Sequence, residues 1–384
     1  MEYSSSTGNP IVYWILYVIL VGTLVFCGYG IGYRQTKYYK RFAWLAIILF
    51  SLIEGLRWLR GADYYGYYVL FETGQDNSGR TLEPLFQVFS TLFCFFHLPP
   101  TIAFVFFSGL FIAAFVLMCS RYKEAAVWCL PIMFVLLGGS AENILRQYAA
   151  ISFLILAYYF YVGNEYKKML FSLLCAPLIH LSALFGVFFF FLFIWKRFPY
   201  GKPLLLVGLY CFLFFFWNPE WLSSFADILH NLDVNFGEDN NYNQYLNSAD
   251  LYFTLDSVLS DGETVSRSFI YKTIIFLSDF CVVYWGYKAC KQDSKLHVAY
   301  YFAYFGILII IMAGYINILR RFGYWLNWTV PLVIGLILSK VDFGKNKIIQ
   351  YIIVTIFLMR YAFYGIIANL GVAPYAGCGF IWDK

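Results

Sequence analysis

Apolar runs long enough to cross a bilayer recur from Ile11 almost to the last residue, and they leave this chain one class of fold. A spanning helix needs roughly 20 apolar residues for a hydrocarbon core of about 30 Å. Only helices and closed barrels satisfy their own backbone there. With 61% of 384 residues hydrophobic, 13% charged and a mean hydropathy of +0.66, no soluble fold could cover so much apolar side chain. The chain therefore reads as an all-α polytopic integral membrane protein, one membrane domain over 1–384. Its phenylalanines, such as the stripe Phe188–Phe191, belong to packing and lipid contact. Its cysteines lie mainly in apolar runs without metal-ligand spacing and read as small buried hydrophobes. Met1 to Pro10 holds no Lys or Arg, so the basic region of a cleavable signal is missing and Ile11–Tyr33 reads as a retained first span.

Basic residues collect in cytoplasmic loops and so set the orientation. Arg34, Lys37, Lys40 and Arg41 place the first loop inside and the N-terminus outside. A second span, Phe42–Leu56, then delivers a first outer loop over 57–84. The run Leu85–Leu98 is about 21 Å long as a helix and reads as re-entrant, ended by Pro99-Pro100. Spans follow over Thr101–Cys119 and Ala125–Leu137, with Gly138–Asn143 as an outer turn and a new helix from Ile144. The run Met169–Trp195 is too long for one span and is broken near Pro177, His180 and Ser182. With lysines or arginines at both ends it reads as a short hairpin carrying His180 to the outer side, or as a single helix. Beyond Leu204–Trp217 comes a large acidic outer loop, 218–268, and then spans over Phe269–Tyr287, His297–Ile318, Phe322–Leu338 and Ile348–Ala368. The count is about 12 transmembrane helices plus the re-entrant segment.

This topology sorts the cations by type. All lysines but Lys272 and Lys384 fall inside, whereas Arg57, Arg60, Arg80, Arg146, Arg267, Arg320 and Arg321 fall outside. Positive charge on the translocated side opposes the orientation signal, so these arginines point to a polar site in an outward-facing cavity. Guanidinium suits a diphosphate or a fixed carboxylate better than ammonium does. The plainer account pairs each arginine with a nearby acid, Arg57 with Asp63 for instance, and keeps the tyrosines as an interfacial belt. A lone histidine in an apolar helix is usually a packing group. His180 stands apart because it adjoins a proline break at the outer side and can take a proton near neutral pH. His97, His230 and His297 read as structural.

Four blocks then carry a resemblance. Gly55-Leu-Arg57 with Gly61-Ala-Asp63-Tyr64 and Tyr67, Leu82-Glu83-Pro84, Arg146-Gln147 with Ala149, and His180-Leu-Ser182-Ala183-Leu resemble, in order and spacing, the EpsG/Wzy family of polysaccharide polymerases. Arg320/Arg321 with Tyr324 and the Pro374-Tyr375 ending match more loosely, and Ala62 stands where a small hydroxyl residue is common. The resemblance implies a GT-C-like membrane glycosyltransferase of the bacterial inner membrane. It implies transfer of a growing glycan from undecaprenyl diphosphate to the non-reducing sugar of a lipid-linked repeat unit at the outer face. On that reading Arg57, Arg60, Arg146, Arg320 and Arg321 hold the diphosphate in place of a metal ion, with no cofactor. His180 is the first choice for the base, with Glu83 and Asp63 as rivals, and Tyr64, Tyr67, Gln147 and Tyr324 line the sugar path. The implied partners are the lipid-linked oligosaccharide, membrane lipid, a chain-length regulator and a flippase, with nothing pointing to nucleic acid. Rival classes are a lipid-linked oligosaccharide flippase, which favours internal repeats and midplane polar residues, an O-antigen ligase-like transferase, an O-acyltransferase fed from the cytoplasm, and a membrane scaffold.

Overall fold

The computed structural model describes residues 8–33, 36–61, 63–75, 82–195, 202–218, 221, 269–314, 316–343, 347–361 and 379–383. Arg80, Arg267, Pro374-Tyr375 and all of the acidic loop but Asn218 and Trp221 lie outside the described residues, as do Arg34 and Arg197. Among the described residues the regular structure is helical, with one isolated antiparallel bridge between Arg57 and Phe380. Five helices are long and apolar enough to cross a membrane, and a sixth crossing forms if one bent pair counts as a single span. The chain is thus a multi-pass membrane protein, with several shorter apolar helices beside the long ones.

Helices α1 (Pro10–Tyr33) and α2 (Thr36–Gly55) open the bundle. The second begins earlier than its apolar run, so Lys37, Lys40 and Arg41 extend a helix rather than sit in a loop. Within the first outer loop lies α3 (Tyr64–Thr73), where the sequence suggested only irregular chain, closed by Gly74 in a left-handed conformation. α4 (Pro84–Phe95) has 12 residues, or about 18 Å, and ends before Pro99 as its short apolar run required. α5 (Pro100–Arg121) and α6 (Ala126–Asn143) are full spans. The glycine-rich stretch Gly138–Asn143, expected as a turn, continues α6, and the break before α7 (Leu145–Val162) is the single residue Ile144. α6 lies along α1 there, with Tyr17 Oη donating to Glu142, and Gly138 is covered by the Phe134 ring one turn earlier on the same helix, while Gly139 faces open space. Gly28 backs onto the Ala126 backbone and Gly55 onto Val105, so α1 meets α6 and α2 meets α5 at backbone range. Close approach through small residues is what holds helices together in lipid, where apolar burial alone gives no driving force.

α8 (Tyr166–Ile179) returns along α7, and α9 (Ala183–Trp195) then runs in the direction of α7, with Gly186 against Leu154 and Phe190 against Tyr161. The 169–195 run is therefore two short antiparallel helices with His180 at their junction. They are followed by α10 (Pro203–Phe216), α11 (Phe269–Cys290) and α12 (Ser294–Ala313). The span expected over Phe322–Leu338 is broken into α13 (Asn317–Asn327) and α14 (Val330–Lys340), which meet at 42°. Arg320 and Arg321 lie inside α13 and not in the loop before it. α15 (Ile348–Tyr361) ends near Arg360, whose guanidinium pairs at 2.7 Å with Asp279 in the middle of α11.

The paired lysines gather at one end of the bundle, together with Arg121, and Arg57, Arg60 and Arg146 at the other. At the Val162 end of α7, Lys295 donates to the Val162 and Asn164 oxygens, Arg121 and Lys168 pair with Glu165, and Lys340 pairs with Glu124. At the Leu145 end are Arg57, Arg60, Arg146 and the start of α13.

Candidate active site

Glu83 is the hub of the arginine-rich end. It precedes Pro84, which fixes it in an extended conformation (φ −63°, ψ 144°) at the N-cap of α4. Its carboxylate points off the helix and is shared between two neighbours. Oε2 pairs with Arg146 Nη1 at 3.1 Å, while Oε1 lies 3.0 Å from His180 Nδ1 and accepts from the Leu181 backbone N–H at 3.1 Å. Arg146 sits in the first turn of α7, where a cation opposes the helix dipole, so Glu83 offsets a charge that the helix itself disfavours. His180 is extended (φ −152°, ψ 113°) where α8 stops after Pro177, which breaks the regular ladder.

The electrostatics fix the imidazole tautomer. Burial alone would raise the Glu83 carboxyl, but the hydrogen bond from His180 and the charge of Arg146 hold it down at about 2. A group that stays a carboxylate can only accept, so His180 Nδ1 carries the proton toward it. In the neutral imidazole that leaves the lone pair on Nε2, 3.4 Å from Ser182 Oγ. The three side chains are reachable: Glu83 and Arg146 are each 17% exposed and His180 25%.

Further residues close around this core. The Arg146 backbone N–H donates to Tyr67 Oη at 3.4 Å. Gln147 Nε2 donates to the Arg321 carbonyl at 2.8 Å and so ties α7 to α13. Trp325 of α13 packs against the His180 ring at 5.6 Å, a neighbour that the sequence reading did not single out. Arg320, Arg321 and Tyr324 are half-buried on the same short helix. Asp63 is exposed at the start of α3, with its backbone N–H donating to Asn143 Oδ1.

Arg57, Arg60 and Tyr64 go elsewhere. Each is 1% exposed, in a second cluster beneath the surface. Arg57 donates to the carbonyls of Glu54 and Glu142 at 2.8 and 3.0 Å, in place of the Asp63 partner that the plainer account offered, and lies over the Phe104 ring. Arg60 pairs with Glu142 at 3.2 Å and approaches Glu54 at 3.8 Å, and the rings of Tyr13, Tyr17 and Phe380 surround it. Tyr64 stacks flat on Phe104 at 4.6 Å. Arg57 and Arg60 thus face Glu54 and Glu142 in a largely interior cluster that is only partly satisfied, with Glu54 Oε1, Arg57 Nε, Arg60 Nε and Nη1 and Tyr64 Oη left without a hydrogen-bond partner among the described residues. The loop that carries it turns at Gly61 (φ +93°), where a side chain would press on the Asn143 backbone. The segment Gly379–Asp383 straps it from above: Trp58 N donates to the Gly379 carbonyl, Ile381 N to that of Leu56, and Phe380 is 1% exposed. The sequence pointed to Glu142 only as a nearby acid, and Glu54 and Phe380 carried no signal, being single residues in or after apolar chain.

Comparison with known proteins adds one finding. The EpsG family model matches residues 40–376. That range takes in Glu83, Arg146, His180 and α13 and stops short of the Gly379–Asp383 strap. No curated protein and no solved structure matches the chain.

Proposed function

As the chain belongs to the EpsG family of polysaccharide-polymerase-type membrane proteins, we propose that it transfers a growing glycan from undecaprenyl diphosphate to the non-reducing end of a lipid-linked repeat unit. The work is done at the outer face of the bacterial inner membrane. The observation that carries this reading is the Glu83 carboxylate, which holds an arginine and a histidine at once, at 3.1 and 3.0 Å, on the end of the bundle away from the lysines.

The chemistry follows from that pairing. His180 Nε2 takes the proton of the acceptor hydroxyl as its oxygen bonds to the anomeric carbon of the donor sugar. The bond from that carbon to the diphosphate oxygen breaks, and the diphosphate leaves with the electron pair. Glu83 stabilises the imidazolium, as a carboxylate on the far nitrogen of a histidine base does. Arg146, Arg320 and Arg321 offset the charge that develops on the diphosphate, in the place a divalent ion would take. The N-terminus of α7 adds its dipole to that end.

Asp63, Tyr67 and Tyr324 are left to contact sugar. Arg57 and Arg60 support the loop from below, Tyr64 packs it, and Gln147 positions α13. A chain-length regulator and a flippase are the partners such a reaction requires on either side of it.

The test is genetic. The gene is deleted in its host and complemented with wild type, Arg146→Ala or His180→Ala at matched membrane levels, and the surface glycan and extracted lipid-linked oligosaccharides are run on a gel. Both variants should leave single lipid-linked repeats and no long ladder. A ladder that persists in the deletion strain, or repeat units trapped inside the cell, would instead mark a flippase or a modifying enzyme.

A further inference from the structure

We infer that Trp325 is a positioning residue for the His180 imidazole, an inference that rests on His180 being the base. The hydrogen bond from Nδ1 to Glu83 and the longer, 3.4 Å contact of Nε2 with Ser182 Oγ hold the ring at its edge and leave its face without support. The second constraint comes from α13. Trp325 is 1% exposed, and its ring centroid lies 5.6 Å from that of His180 at 58°. That is within the roughly 4.5–7 Å over which aromatic rings attract in tilted arrangements.

Three contacts keep the indole there. Arg321, one helical turn ahead of Trp325 on the same face, has its carbonyl tied to Gln147. Gly323 lets α13 close on α12, where any side chain would strike Ile310 and the Gly306 carbonyl, and Gly306 in turn backs onto Asn327. Gly186 of α9 lies beneath Trp325, where an added Cβ would stand 3.4 Å from its carbonyl oxygen. The helix can neither withdraw nor roll without losing one of these. Trp325 touches neither reacting atom and acts through His180.

The test uses the full-length protein, purified and reconstituted in liposomes, with undecaprenyl-diphosphate-linked repeat units extracted from the deletion strain. Trp325→Leu should lower kcat about tenfold with KM within about twofold, since the base is misplaced and substrate binding is not. Trp325→Phe, which restores an aromatic wall, should recover at least half of the lost rate. If Trp325→Leu does not accumulate in the membrane, Trp325→Met is read by the same criterion. A wild-type kcat in the ring-less variant, a loss carried wholly by KM, or no recovery with Phe overturns the inference. His180→Ala in the same assay separates the two levels. If His180→Ala still extends chains, the assignment of the base fails and takes this inference with it. If only the Trp325 variants behave as wild type, this inference alone fails.

Discussion

Glu83 Oε1 stands 3.0 Å from His180 Nδ1, across 97 residues of chain, and accepts its proton as a carboxylate held well below the usual range. The relationship fixes which nitrogen is left to act. Glu83→Gln keeps the shape and removes the charge, so the tautomer is no longer dictated and the imidazolium loses its partner. Chain extension by the purified protein should fall about a hundredfold in kcat, with a smaller change in KM. Equal loss in both would mean that Glu83 binds substrate directly.

The depressed Glu83 carboxyl also makes a statement about stability. Its folded value, about 2, lies below the ordinary 4.5, so the unfolded chain takes up the proton first as pH falls. The stabilisation is therefore complete above 4.5 and is lost as pH drops toward 2. In detergent, the difference in Tm between wild type and Glu83→Gln should stay level from pH 7 to 5 and shrink below 4.5. A difference that shrinks near neutral pH would assign the linkage to another group.

The outer arginines should separate into two kinds. Arg60→Ala removes the guanidinium that pairs with Glu142 at 3.2 Å and approaches the buried Glu54 at 3.8 Å, and breaking such a largely interior pair costs up to about 3–5 kcal/mol. Protein yield and Tm report it. Arg320→Ala and Arg321→Ala, on half-buried side chains, should fold normally and slow chain extension instead. An Arg60→Ala protein with wild-type Tm would contradict the interior role.

Phe380 couples a segment beyond the family match to the loop that leads into α3. Removing its ring uncovers Arg60, and a buried Phe→Ala change costs about 3–5 kcal/mol. Phe380→Ala should lower Tm and expose the Leu56–Asp63 loop to added protease, whereas Trp382→Ala, at a residue 57% exposed, should do neither. Equal protease resistance in the two variants would show that the strap does not hold the loop.

The helices were readable where apolar runs end in charge or proline. α1, α4, α5 and α10 begin and stop close to where the sequence places them, and the break at His180 follows from Pro177. Local composition misled where packing decides. Gly138–Asn143 looks like a turn and continues α6, where Tyr17 of α1 donates to Glu142, while Phe322–Leu338 looks like one span and bends at Trp328. The first-loop tyrosines hid α3 because a loop rich in Tyr and Gly has no clear helical period. For the site, Glu83, Arg146 and His180 stood out as charges at helix ends. What the sequence could not show was that Arg57 and Arg60 turn inward, since an arginine beside the membrane reads the same whether its partner is a ligand or a glutamate 82 residues along the chain.

The central claim is that the Glu83, Arg146 and His180 cluster extends a glycan on its lipid diphosphate. The most direct measurement gives the purified protein in liposomes undecaprenyl-diphosphate-linked repeat units as sole substrate, and follows product length together with released undecaprenyl diphosphate. Wild type should yield chains longer than one repeat with one undecaprenyl diphosphate released per linkage, and His180→Ala neither. Vesicles that move the repeat units across the bilayer without lengthening them, or chain growth undiminished in His180→Ala, would contradict the account.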